Sequence, residues 1–188
     1  MWWLKQDRGR RLAVRLACIA GLGGLTAGCF QPVYGTVSLT NSPPIAPALA
    51  GVDVSQIPAP GGSPEARVAV EVRNQLLFNL TGGQEPPPPT HRLAIKLSSS
   101  RTSVIVDITS GRPDVEDYGL NVTYTLTEVK TGKPVVSGST FARVSYDIPG
   151  QAQRFARARG MKDAEDRAAK LIADNIRSRL ASYFVAGT

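Results

Sequence analysis

The chain has 188 residues, with 22 Lys/Arg against 15 Asp/Glu, a net charge of +7 and a single histidine. Two cysteines exclude a disulfide-dense scaffold, and one histidine leaves little from which to build a metal centre. Residues 1–28 hold five Lys/Arg and one Asp, so the remaining 17 basic and 14 acidic residues carry only +3, too little to argue for nucleic acid.

The first 28 residues have the layout of a secretory signal. Lys5, Arg8, Arg10, Arg11 and Arg15 form a basic leader, and 16–25 form an uncharged stretch rich in Leu, Ala and Gly. That stretch is about half the length that a membrane-spanning helix needs. Thr26-Ala27-Gly28-Cys29 then resembles the lipobox of bacterial lipoproteins, with Leu25 one position further out than usual. The resemblance implies cleavage before Cys29 and acylation of its thiol. A lipoprotein Cys carries three acyl chains, palmitate among them. One chain binds only marginally at roughly 0.8 kcal/mol per CH₂, so three make attachment effectively permanent. Phe30 stands where an Asp retains enteric lipoproteins in the inner membrane, which favours the outer membrane on its periplasmic side. Cys18 leaves with the signal and Cys29 is blocked by lipid, so neither cysteine is left for a disulfide.

Residues 29–48, with Pro32, Pro43, Pro44 and Pro47, read as a lipidated tether. Residues 49–188 suit one domain. Val52, Val54 and Ile57 suggest a short first strand. Ser63-Pro64-Glu65 is a helix start, because Ser caps, Pro fits the first turn and Glu meets the positive helix end. Ala69, Val72, Leu76 and Leu80 form its buried stripe, and Gly82-Gly83 ends it. The prolines at 86–89 read as a stiff spacer in preference to an SH3-type ligand.

Alternation then signals antiparallel sheet. Leu93, Ile95 and Leu97 alternate with polar neighbours, followed by a Ser-rich patch read as a bulge and by Val104, Val106 and Ile108. Tyr118, Leu120, Val122, Tyr124 and Leu126 alternate with Asn121, Thr123, Thr125 and Thr127. Lys130-Thr131-Gly132-Lys133 is a hairpin turn, and 134–146 is the partner strand with a bulge expected at Gly138. A long helix over 151–184 is expected to bury Met161, Ala164, Ala168, Leu171, Ile172, Ile176, Leu180 and Tyr183, with Gly160 its weak point. The order β-α-β-β-β-α predicts an α+β two-layer sandwich, with two helices packed on one four-stranded, mostly antiparallel sheet.

Catalysis has little material. His91 reads as an exposed strand residue beside the prolines. Asp114, Glu116 and Asp117 read as a solvated loop cluster, with cation binding the lesser reading. No Gly-rich phosphate loop joins a strand to a helix. The expectation is a non-enzyme that needs no metal and no cofactor beyond the lipid on Cys29.

The segment Cys29-Phe30-Gln31-Pro32-Val33-Tyr34-Gly35 resembles the mature N-terminus of alphaproteobacterial members of the LptE family, where Cys-Gly-Phe-x-Pro-Leu-Tyr-Gly recurs. Val72-Arg73-Asn74-Gln75-Leu76 is similar to its first helix. Asp163-Ala164-Glu165-Asp166-Arg167-Ala168-Ala169, with Leu171-Ile172 and Ile176, is similar to its last. The resemblance implies an outer-membrane lipoprotein that plugs and helps assemble the LptD β-barrel and contacts lipopolysaccharide on its way to the cell surface. A barrel lumen is polar, and the Thr123, Thr125 and Thr127 face suits such a wall or plain solvent equally. The resemblance also implies a lipopolysaccharide contact at Arg112, in the loop before Asp117-Tyr118. A second is implied at a basic residue after Tyr146-Asp147-Ile148-Pro149, where Arg154 and Arg157 both qualify. Phosphates and carboxylates favour such cations. Lys130 and Lys133 are a weaker alternative. The competing reading is an accessory lipoprotein of an ABC-type envelope transport system for lipid or solute, which needs a lipid-sized apolar pocket.

Overall fold

A computed structural model describes residues 45–106, 113–148 and 154–186. The lipobox and most of the tether lie outside the described residues. Helix α1 spans Ile45–Ala50, strand β1 Val52–Val54 and helix α2 Pro64–Thr81. Strands β2 (His91–Val106), β3 (Pro113–Glu128) and β4 (Pro134–Asp147) follow, then helix α3 (Arg154–Ala186). The sheet order is β1-β2-β3-β4. β1 runs parallel to β2, and the other pairs are antiparallel. The fold is therefore the expected α+β sandwich, with helices packed against a mostly antiparallel four-stranded sheet.

Period-two alternation decides the layers. Tyr118, Leu120, Val122, Tyr124 and Leu126 of β3 are all buried, as are Leu93 and Ile95 of β2 and Val136, Ala142, Val144 and Tyr146 of β4. The helices supply Val68, Ala69, Val72, Leu76 and Leu80 from α2, and Ala164, Ala168, Ala169, Ile172, Ala173, Ile176, Leu180 and Ala181 from α3. Five alanines in that α3 set leave room for close approach. The Ser63 hydroxyl accepts from the Ala66 N–H at 3.1 Å, with Pro64 in the first turn. Gly82 closes α2 in the left-handed conformation at φ 65°, its N–H donating to the Phe78 carbonyl at 2.8 Å. Helix arginines occupy carbonyls of both outer strands. Arg73 donates to the Val54 carbonyl at 3.0 Å, and Arg167 to the Ser145 carbonyl at 3.3 Å. Such contacts blunt open sheet edges.

Several expectations change. Helix α1 occupies residues read as tether, and its Leu49 is buried. Pro47 stands in its first turn, where a missing N–H breaks no helical bond, so the proline-rich reading hid it. Ile57 is buried but lies beyond β1, which stops at Val54. The Ser-rich patch pairs regularly with β3, and the register shifts fall later, around Ile105. Ile108 lies outside the described residues. Gly138 is no bulge. It pairs with Tyr124, and a Cβ there would meet the Tyr124 Oη at 2.7 Å, so glycine makes room for a ring. Leu171 is 47% exposed, because it stands about 100° around the helix from the buried Ile172. Gly160 lies inside α3 beside Tyr146 and the Asp147 carbonyl.

Candidate functional site

One end of the sheet gathers the strand ends that flank Arg112 and the start of the last helix. β3 begins at Pro113, immediately after Arg112, and Val115 pairs with Asp147 at the end of β4. α3 starts seven residues later with Arg154. The fold thus brings the flanks of the Arg112 loop and the start of α3 to the same end. Arg112 itself and the side chain of Arg154 lie outside the described residues.

Arg157 is described, and β3 holds it. Its Nη2 donates to Glu116 Oε1 at 3.4 Å, and Tyr146 Oη donates to Glu116 Oε2 at 2.5 Å. Glu116 is mostly buried while Arg157 stays about half exposed, so the carboxylate positions the guanidinium and leaves part of it to solvent. Burial, and then the bond to the negative Glu116, push the Tyr146 hydroxyl up to about 12. Asp117 accepts from Ser145 Oγ at 2.6 Å and lies 4.0 Å from Arg143. Glu116 and Asp117 are therefore strand residues with side-chain partners, which corrects the loop reading. No cluster of metal-ligating side chains forms among the described residues.

Two further cations at this end escaped the sequence reading. Arg101 of β2 sits opposite Tyr118, and its Nη1 lies 3.8 Å from Met161 Sδ on α3. Arg143 is exposed on the open face of β4. Arg143 stands on the outward side of an alternating strand, where a polar residue is expected, and Arg101 continues the helix-facing row of Leu93 and Ile95 beyond the core, so spacing alone gave no signal. Lys130 and Lys133 lie at the β3–β4 turn, the opposite end of those strands, and share no site with Arg157.

His91 is half-buried, which corrects the exposed reading. Its ring meets Phe184 edge-on at 5.2 Å and Tyr183 at 6.5 Å, and its Nδ1 lies 2.9 Å from Thr90 Oγ1. Burial lowers its proton affinity, opposed by the Glu128 charge. It joins the end of α3 to the start of β2.

No helix among the described residues is long and apolar enough to cross a membrane. No curated protein matches the chain. Among solved structures, a lipoprotein from Caulobacter crescentus CB15 is similar at 21% identity and TM-score 0.58, covering 76% of this chain and 96% of that one. Lipoprotein B from Nitrosomonas europaea is similar at 14% identity and TM-score 0.49, over 81% and 95% of the two chains. The rare lipoprotein B from Shewanella oneidensis is similar at 17% identity and TM-score 0.48, over 70% and 92%. The family described as LptE, lipopolysaccharide-assembly, matches residues 49–180, which include every strand and all but the last turn and a half of α3. The chain belongs to the LptE family.

Proposed function

We propose that this chain is an outer-membrane lipoprotein, held on the periplasmic side through acylated Cys29, that plugs and helps assemble an LptD-like β-barrel and contacts lipopolysaccharide in transit. It acts as a binding partner and carries out no catalysis. The family match over residues 49–180 carries this reading. The end of the sheet supports the lipid contact. The strand ends that flank residues 107–112 and the start of α3 meet there, and Glu116 holds Arg157 half-exposed, where its remaining N–H groups can meet phosphate or carboxylate. Arg112→Glu combined with Arg154→Glu is expected to lower lipopolysaccharide affinity by about tenfold without unfolding the domain. Unchanged binding removes these residues from the contact.

A further inference from the structure

The face of the sheet away from the helices holds a shallow trough of about 370 Å³. Strand register fixes its floor as two rows of three side chains. One row is Lys96, Thr123 and Ser139, and the other is Ser98, Asn121 and Phe141. With strands about 4.8 Å apart and alternate residues about 7 Å apart, the array has a footprint of disaccharide size. All six residues are exposed, Phe141 at 71%.

Three observations bear on the occupant. First, Ser98, Asn121, Thr123 and Ser139 make no side-chain hydrogen bond among the described residues, although Ser137, Thr140 and Ser145 of β4 do. Their hydroxyls and amide offer donors and acceptors together. Second, Phe141 is the one large apolar side chain in the array, and its ring is open. An aromatic face is electron-rich, so it attracts the weakly positive C–H face of a sugar ring while neighbouring groups bond the hydroxyls. Third, Lys96 pairs with no carboxylate among the described residues, and its ammonium suits an acidic substituent. A protein-docking core is instead a cluster of apolar anchors depleted of such unpaired polar groups.

We propose that this trough binds the sugar rings of an anionic oligosaccharide, with Phe141 as the stacking platform and Lys96 as the counter-charge. The source we name is the sugar portion of lipopolysaccharide, which rests on the function proposed above and adds a second contact remote from Arg157.

The probe is lipid-free core oligosaccharide, added to the full chain in mild detergent and followed by NMR and titration calorimetry. The resonances of Asn121, Thr123, Ser139 and Phe141 should shift. Phe141→Ala should weaken binding by about tenfold or more, and Lys96→Gln should weaken it less and flatten its salt dependence. Asn121→Ala is a second exposed variant that should weaken binding without touching the core. Arg157→Glu should leave oligosaccharide binding within about twofold, because it is remote. The proposal is overturned if the oligosaccharide does not bind, if it shifts only residues at the Arg157 end, or if Phe141→Ala binds as well as the parent. It is also overturned if Phe141→Ala loses a co-purifying barrel while oligosaccharide binding is unchanged, since the face is then a protein contact. Intact lipopolysaccharide separates the two readings. If it binds and responds to Arg157→Glu while the free oligosaccharide does not bind, the trough fails and the proposed function stands. If the oligosaccharide binds the trough while no barrel associates with the chain, the trough stands and the proposed function fails.

Discussion

Arg67 on α2 reaches Glu165 on α3 with two bonds to one carboxylate oxygen, Nε at 3.0 Å and Nη2 at 2.5 Å. Glu165 is only 2% exposed while Arg67 is 56% exposed, so a buried acid is neutralised from the surface. Its other oxygen, Oε1, is buried with no partner in the described structure. The pair fixes the start of α2 against α3, and Asn79 donating to Asp174 at 2.9 Å fixes its end. The two helices therefore run in the same direction along the sheet.

Removing one partner exposes the cost. Arg67→Ala leaves a buried carboxylate unpaired, and breaking a fully buried pair costs about 3–5 kcal/mol. The exposed guanidinium screens this, so a loss of about 1–3 kcal/mol is expected in urea unfolding. Arg67→Met with Glu165→Leu should recover most of it. A silent Arg67→Ala would show that the helices need no lock.

Alkaline pH should weaken the fold. Tyr118 and Tyr146 are both pushed from 10.0 up to about 12, chiefly by burial. A raised value in the folded state means the neutral hydroxyl is the stabilised form. The stability it contributes is intact below pH 10 and is lost as pH rises toward about 12. The urea midpoint should fall across that window, and fall less steeply in Tyr118→Phe and Tyr146→Phe. Equal slopes in both variants and the parent would contradict this origin.

Adjacent residues on α3 should respond in opposite ways. Ile172 is completely buried, so Ile172→Ala should cost about 2–5 kcal/mol. Leu171→Ala should stay within about 0.5 kcal/mol, since Leu171 is largely solvated. Thermal unfolding of the two variants side by side checks the face assignment.

Gly138 gives a packing test on β4. A Cβ placed there meets the Tyr124 Oη at 2.7 Å and Cζ at 2.9 Å. Gly138→Ala should therefore destabilise by about 1–3 kcal/mol, and Tyr124→Phe should relieve part of that by removing the nearest atom. A neutral Gly138→Ala would mean the ring moves aside freely.

Periodicity carries information only where a face is buried, and that limits what the chain reveals before folding. Tyr118 to Leu126 and Val72 to Leu80 alternate or repeat because one side meets the core, so strands and helices there were readable. Helix α1 was not readable, because six residues with an internal proline offer no repeat. Its place depends on Leu49 packing into a core built elsewhere. The candidate site divides in the same way. Arg157 was one of two arginines that the family resemblance implied after the Tyr146 corner. Its bond to Glu116 was not, since that contact joins residues 41 apart in sequence. The trough at Phe141 depends wholly on register across three strands, which alternation within any one of them leaves undetermined.

Purification of the full chain from outer membranes in mild detergent tests the central claim. The account predicts that a large β-barrel protein co-purifies in fixed proportion, that the chain carries acyl chains on Cys29, and that Cys29→Ser abolishes that acylation. Recovery without any barrel, in company with inner-membrane transporter subunits, would contradict it.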